Sequence, residues 1–167
     1  IGAMPLFMTM TADLPQKARK KTAIKAIITA FITLMLFALS GQLLFSFFGI
    51  SVHGLRMVGG IIFFVMGYEM LQARISKFKI DESQIKRYVD DVSVTPLGIP
   101  MIAGPGAITN AIVLMEDAQN IQMQIVLIAA MLTVLLLTLI FMLGATKLIK
   151  VLGETGNKIM MKLMGLI

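Results

Sequence analysis

An uncharged stretch of membrane-spanning length contains the strongest helix breakers in the chain. Residues 92–115 include no charged side chain, and about 20 mostly apolar residues are enough for a helix to cross a bilayer. Within this stretch, residues 96–106 read PLGIPMIAGPG, with three prolines and three glycines in eleven residues. A proline inside a helix removes a backbone hydrogen bond, and its ring clashes with the preceding turn. The stretch therefore predicts a membrane span that is broken near its middle.

The composition of the whole chain favours an integral membrane protein. Of its 167 residues, 57% are hydrophobic and 14% are charged, and the mean hydropathy is +0.89, whereas soluble domains are about 25% charged. The chain has no cysteine, which excludes disulfides and thiolate metal sites. No nucleophile–base pair or cluster of metal ligands is recognisable, so no enzyme, metal site or cofactor is predicted. A net charge of +6 would suit nucleic acid, but the basic residues lie in short segments between apolar runs, which is typical of membrane topology.

Six apolar segments are predicted to cross the membrane in an all-α fold. The first, residues 1–11, and the sixth, residues 159–167, are too short for a full span, so both ends of the chain are interpreted as truncated. Asp13, Pro15 and Gln16 form a helix-start pattern, which predicts that the second helix begins before it enters the membrane. The four complete spans are predicted at residues 26–48, 54–71, 92–115 and 121–146.

The positions of the basic residues predict the orientation of these spans. Every Lys and Arg except Arg56 lies in or beside three segments, near residues 12–25, 74–91 and 147–158. Segments rich in Lys and Arg stay on the cytoplasmic side of a cell membrane. These three segments are therefore predicted to be cytoplasmic loops, and both termini are predicted to lie outside.

Six spans with this orientation divide into two repeats of three helices. Because three is an odd number, the second repeat must be inverted relative to the first. Residues 1–75 are predicted to form the first repeat, residues 76–91 a cytoplasmic linker and residues 92–167 the second repeat.

Two Gly/Pro interruptions predict a binding site between these repeats. The interruption at residues 2–5 corresponds to the one at residues 104–108, and helices broken at matching positions are the best sequence indication of a transporter site. The second break is predicted to unwind near Ala103 and Gly104 and to restart with Pro105 as the first residue of a half-helix.

The chemistry of the second break predicts an amino-acid-like ligand. A half-helix N-terminus attracts an anion, here through the amides of Gly106, Ala107 and Ile108, and the carbonyls freed before the break suit an ammonium group. The small side chains leave little space, and no Asp or Glu lies in mid-span to bind a basic ligand. The predicted substrate-binding residues are Gly2, Ala3, Pro5, Ala103, Gly104, Pro105, Gly106, Ala107, Ile108 and Thr109, with Arg56, Asn110 and Lys162 as gate or contact residues.

Each of these interpretations has an alternative. The break could be a proline kink that packs against neighbouring helices and binds nothing. Arg56 and its counterpart in the second repeat, Lys162, could extend to the membrane interface instead of gating. His53 is predicted to be an exposed loop residue, and the 15 methionines are predicted to fill the core rather than to bind metal.

Four sequence motifs resemble the MarC family of integral membrane proteins. The motifs are IGAMPLF, FGIS, LRMVGGIIFF and PLGIPMIAGPGAIT, at residues 1–7, 48–51, 55–64 and 96–109. The resemblance implies six membrane helices and transport of small neutral amino acids such as glycine and alanine. Family members usually have Asn-Pro before the first Ile-Gly, and this chain begins at that Ile, so half of the first motif is missing.

Residues and resemblance together predict secondary transport of small neutral amino acids. A broader exporter of drugs or metabolites and a non-transporting membrane scaffold are the alternatives. The predicted partners are the lipid bilayer and the amino acid substrate, with no nucleic acid. The sequence leaves open the direction of transport, the coupling ion and whether the protein forms a homo-oligomer.

Overall fold

Helices make up nearly all of the described structure, as the sequence predicts. The computed structural model describes the backbone of residues 3–12, 14–49, 51–72 and 85–165, and these ranges contain helices and no strand. The elements are α1 (Ala3–Met10), α2 (Gln16–Phe48), α3 (Val52–Gln72), α4 (Ile85–Val92), a π-helical segment (Ser93–Ile102), α5 (Pro105–Asp117) and α6 (Ile121–Gly165).

Two of these helices are long and apolar enough to cross a membrane. Within the described ranges they are Gln16–Gly41 of α2 and Ile121–Gly144 of α6. The bent pair of Arg87–Ile102 and Pro105–Asp117 is a third span if the two parts are counted together. These helices match the second, fifth and fourth predicted spans, while the six-helix inverted repeat stays a prediction.

Helix α6 differs from the prediction between residues 147 and 158. A cytoplasmic loop was expected there between the fifth and sixth spans, but a single helix continues over Ile121–Gly165. The predicted loop is therefore wrong. The stretch contains no proline, and its lysines and leucines favour a helix, although Gly153 and Gly156 each disfavour one by about 1 kcal/mol. Charged residues mark where a chain leaves the membrane, which is not necessarily where a helix ends.

The predicted linker at residues 76–91 also contains a helix. Its last part is helical, because α4 covers Ile85–Val92 and continues directly into the π-helical segment. Val89 and Val92 are buried on α4, while Arg87 and Asp91 are exposed. Apolar side chains three residues apart on one face are enough to attach such a short helix to its neighbours.

Helix α2 lies at the centre of the packing. It contacts α4, the π-helical segment, α5 and α6. Alanines form a buried row along it, and such small side chains let membrane helices approach closely. The opposite face has large exposed apolar side chains, such as Leu39 and Leu43, which suit contact with lipid. The alanines are Ala23, Ala26, Ala30 and Ala38.

Two glycines lie where neighbouring segments pack closely against α2. One is on α2 itself, and the other is in the π-helical segment. A Cβ atom at Gly41 of α2 would lie 2.5 Å from the side chain of Ile112 on α5. A Cβ atom at Gly98, in the π-helical segment, would lie 2.9 Å from the carbonyl oxygen of Ser93 and 3.0 Å from Cγ2 of Thr29 on α2. The Gly98 contact differs in kind, because it involves a backbone carbonyl that cannot move to another rotamer.

Replacing Gly98 with alanine is therefore expected to destabilise the fold by about 1–3 kcal/mol, the usual cost of overpacking a tight contact. Gly144→Ala is the matched control, because a Cβ atom at Gly144 meets nothing within 4 Å and alanine favours a helix over glycine. SDS-induced unfolding in mixed micelles measures both variants. Equal unfolding curves for the two would contradict the close approach at Gly98.

Candidate functional site

Helix α5 begins where the sequence predicts the break. Gly104 has extended backbone angles (φ −82°, ψ 168°), and Pro105 is the first residue of α5. Before the break, Thr95 and Ile99 are also extended inside the π-helical segment, since a following proline disfavours the α conformation. The helical parts on the two sides are bent by 62° relative to each other. The predicted unwinding at Ala103 and Gly104 is thus confirmed.

The first turn of α5 presents fewer free amides than predicted. The N–H of Ile108 donates to the carbonyl oxygen of Gly104 at 2.9 Å, so the prediction of a free amide at Ile108 is wrong. The reason is geometric, because the fifth amide counted from the N-cap residue is the first that reaches a carbonyl of its own helix. The amides of Gly106 and Ala107 precede that bond. No side chain caps the helix at Gly104.

Small residues surround this N-terminus, and one of them borders open space. Ala103 and Pro105 are buried, Ala107 is half-buried and Gly106 is exposed. A Cβ atom at Gly106 would meet nothing within 4 Å. Asn110, one turn further along α5, is also exposed. The break therefore has a closed side and an open side, and Gly106 lies on the open side.

Thr109 is the unusual polar residue of the site. Its side chain is fully buried, and its Oγ1 has no hydrogen-bond partner among the described residues. A buried hydroxyl without a partner costs about 1–3 kcal/mol in proteins. A buried hydroxyl without a partner, one turn after a helix break, is a candidate hydrogen-bonding group for a ligand.

Other hydroxyls in this chain show how unusual Thr109 is. Ser and Thr within helices commonly donate to the carbonyl four residues earlier, and Pro105 supplies that carbonyl for Thr109. The sequence could not reveal that this bond is unmade, since nothing distinguishes Thr109 from the other hydroxyls in the sequence pattern. The hydroxyls that do make the bond belong to Thr11, Thr22, Ser40, Ser93, Thr133 and Thr138.

A second polar cluster lies where α1 ends and α2 begins, and sequence reasoning missed it. Lys25 of α2 forms an ion pair with Asp90 of α4. The hydroxyl of Tyr88 on α4 donates to the carbonyl oxygen of Met10 at 3.1 Å. The sequence places Asp90 in the predicted linker, and no spacing in the sequence connects it to Lys25, 65 residues earlier. We call this region, formed by residues 11–25 and 85–92, the basic end.

Comparison with known proteins identifies the family. The model of the MarC family of integral membrane proteins matches residues 1–167. This chain belongs to the MarC family. It is 41% identical to a UPF0056 membrane protein of Pyrococcus horikoshii over 100% of this chain and 80% of the relative. It is 35% identical to the UPF0056 membrane protein YvbG of Bacillus subtilis over 100% of this chain and 81% of that relative. No solved structure matches the chain.

The MarC match also covers the first predicted half-site, which the structure describes in part. Helix α1 begins at the buried Ala3, and Pro5 falls in its first turn, where proline is tolerated. Gly2 lies outside the described residues. Arg56 and Lys162 are on α3 and α6, but their side chains are outside the described part of the structure, so both gating assignments stay predictions. His53 is exposed, as predicted, but it lies in the first turn of α3 and not in a loop.

Proposed function

We propose that this MarC-family protein is a secondary transporter that binds small neutral amino acids, such as glycine and alanine, at the break before α5. The observation that best supports the proposal is the start of α5 at Pro105, with no side-chain cap and with the unpartnered hydroxyl of Thr109 one turn beyond. Uncapped amides and an unpaired hydroxyl need polar partners inside a membrane, because no water is available there. A bound amino acid can supply them.

The groups at the break suit both charged ends of an amino acid. The amides of Gly106 and Ala107 suit the carboxylate, because free amides and the helix dipole favour an anion. Carbonyls of the unwound segment before Ala103 suit the ammonium group. The open position at Gly106 leaves room for a small side chain, and the apolar surroundings favour a neutral substrate over a charged one.

The orientation of the transporter follows from the basic end. Lys17, Lys20 and Lys21 are exposed on the first turns of α2, before the apolar part of that helix begins. We place this end on the cytoplasmic side of the cell membrane by the positive-inside rule. Because α6 continues to Gly165 without turning back, the predicted outside position of the C-terminus is not part of this proposal. The exposed apolar side chains of α2 and α6 then contact the lipid bilayer.

Uptake of labelled glycine into proteoliposomes tests the proposal. We expect counterflow when the vesicles contain unlabelled glycine, and competition by alanine. Valine should compete less well, and phenylalanine least. Methylamine, which is glycine without its carboxylate, should compete about tenfold less well or worse, because it leaves the amides without a partner. Sodium and pH gradients applied separately identify the coupling ion.

Protein-free liposomes provide the control for leakage. Equal competition by methylamine and alanine would place the carboxylate elsewhere. The absence of glycine counterflow, with or without ion gradients, would exclude the proposed function in favour of a scaffold or of a transporter for other compounds.

A further inference from the structure

The basic end joins parts of the chain that are far apart in sequence. Lys25 and Asp90 are separated by 65 residues, and Tyr88 and Met10 by 78. Each contact connects the α1–α2 unit to α4. Within the α1–α2 unit, the guanidinium group of Arg19 donates to the carbonyl oxygen of Ala12. The turn between α1 and α2 is therefore tied to α2 itself.

The Lys25–Asp90 pair is placed to open rather than to hold the fold together. The side chains are 37% and 44% exposed, so water competes with the pair and its contribution to stability is small. On the same helix as Asp90, the side chains of Val89 and Val92 are almost fully buried. The ion pair is thus the exposed part of a helix that is otherwise attached by buried apolar side chains.

Both units lead directly from the basic end to the helix breaks. Helix α4 continues into the π-helical segment, which ends at the break before Pro105. Helix α1 has 8 residues and a length of about 12 Å, so Ala3 lies about half the thickness of the hydrocarbon core from Met10. The π-helical segment contacts both α1 and α2. Separating α4 from the α1–α2 unit would therefore open a path from the basic end toward the breaks.

We propose that the Lys25–Asp90 ion pair and the Tyr88–Met10 hydrogen bond form a gate that closes the basic end of the transport path. This inference rests on the proposed function, since a gate needs a path. In the described structure the gate is closed. Alternating access requires the units of a transporter to move against each other around a fixed site, and breaking these two polar contacts lowers the cost of moving α4 away from the α1–α2 unit.

The gate can be tested without knowing the substrate. The chain has no cysteine, so a single Gly106→Cys substitution gives one reactive thiol at a position with open space for its side chain. A membrane-impermeant thiol reagent is added on the side of the basic end, in vesicles of defined orientation. Asn110→Cys, at another exposed position, serves as a second probe.

Neutralising the pair is expected to increase the rate of labelling from that side. Asp90→Asn or Lys25→Gln should each raise it about twofold to fivefold, which corresponds to the loss of a weak ion pair. Adding Tyr88→Phe to Asp90→Asn should raise it further. The charge exchange Lys25→Asp with Asp90→Lys should return the rate toward that of the parent. Lys21→Gln is the matched control, because Lys21 is exposed one turn before Lys25.

Two results would overturn the gate. One is a rate of thiol labelling from the side of the basic end that is the same in the parent and in both neutralised variants. The other is an increase that Lys21→Gln also produces or that the charge exchange leaves uncorrected, since this indicates general loosening. Glycine counterflow is measured separately, so a gate that fails in a protein that transports glycine leaves the proposed function standing. Faster labelling without glycine transport supports the gate for another substrate.

Discussion

Replacing Gly106 with valine is expected to reduce glycine uptake by about tenfold to a hundredfold, while folding and membrane insertion stay normal. A Cβ atom at this position meets nothing within 4 Å, and Gly106 is exposed, so the substitution is not expected to disturb the fold. The same space is where a carboxylate would approach the amides of Gly106 and Ala107. Overpacking a bound ligand by two or three carbon atoms costs about 1–3 kcal/mol, which corresponds to this loss in affinity.

Gly144→Val is the matched control for that experiment. Gly144 is also an exposed helix glycine with open space around its Cβ position, but it lies on α6, away from the break. Its valine variant should transport glycine normally. Size-exclusion chromatography and SDS unfolding should show the same folded fraction for both variants. Normal uptake by Gly106→Val would mean that the open space faces lipid, and the binding site would then have to lie elsewhere.

The sequence predicts the break before α5 well because the cause is local. Pro105 cannot donate a backbone hydrogen bond and restricts Gly104 before it, and neither effect depends on the rest of the fold. The same holds for the apolar spans in α2 and α6, which follow from length and hydropathy alone. Local covalent chemistry was therefore sufficient to locate the central feature of the molecule.

Two predictions from the sequence are wrong. One inferred the end of a helix from charged residues, and the other did not count the backbone hydrogen bonds of the first helical turn. The lysines near residues 147–158 predict a loop, but no proline interrupts the chain there, and α6 continues through them despite Gly153 and Gly156. The sequence analysis predicts a free amide at Ile108. In a helix whose N-cap is Gly104, however, the amide of Ile108 is the first that donates to a carbonyl of the same helix. Both corrections follow from backbone geometry that a hydropathy pattern does not contain.

Two features of the structure depend on tertiary contacts, and no local sequence pattern could predict them. The Lys25–Asp90 pair joins the first predicted repeat to the predicted linker, and no helical spacing connects residues that are so far apart in sequence. The unpartnered hydroxyl of Thr109 is equally invisible in sequence, because it depends on a rotamer and on neighbouring helices. The break can be located from the sequence alone, while the groups that complete the site and close its path need the three-dimensional structure.

Substituting Thr109 with valine is expected to raise stability and to lower transport. Valine has nearly the same shape and removes a buried hydroxyl that lacks a partner, so the empty protein should gain up to about 1–3 kcal/mol. If the hydroxyl binds the substrate, glycine uptake should fall about tenfold to a hundredfold, because the ligand loses a hydrogen bond in an apolar site. Thr109→Ser, which retains the hydroxyl, should keep most of the uptake.

Thr22→Val distinguishes this effect from a general consequence of losing a buried hydroxyl. Thr22 is equally buried, but its Oγ1 already donates to the carbonyl oxygen of Ala18 at 3.0 Å. Its valine variant should therefore gain no stability and should transport glycine normally. SDS unfolding and glycine counterflow measure the two properties on the same preparations. A Thr109→Val variant that is more stable and fully active would show that the hydroxyl has no role in binding. A variant that is less stable would show that the hydroxyl has a structural partner, such as a buried water, because an unpaired group cannot contribute stability when it is present.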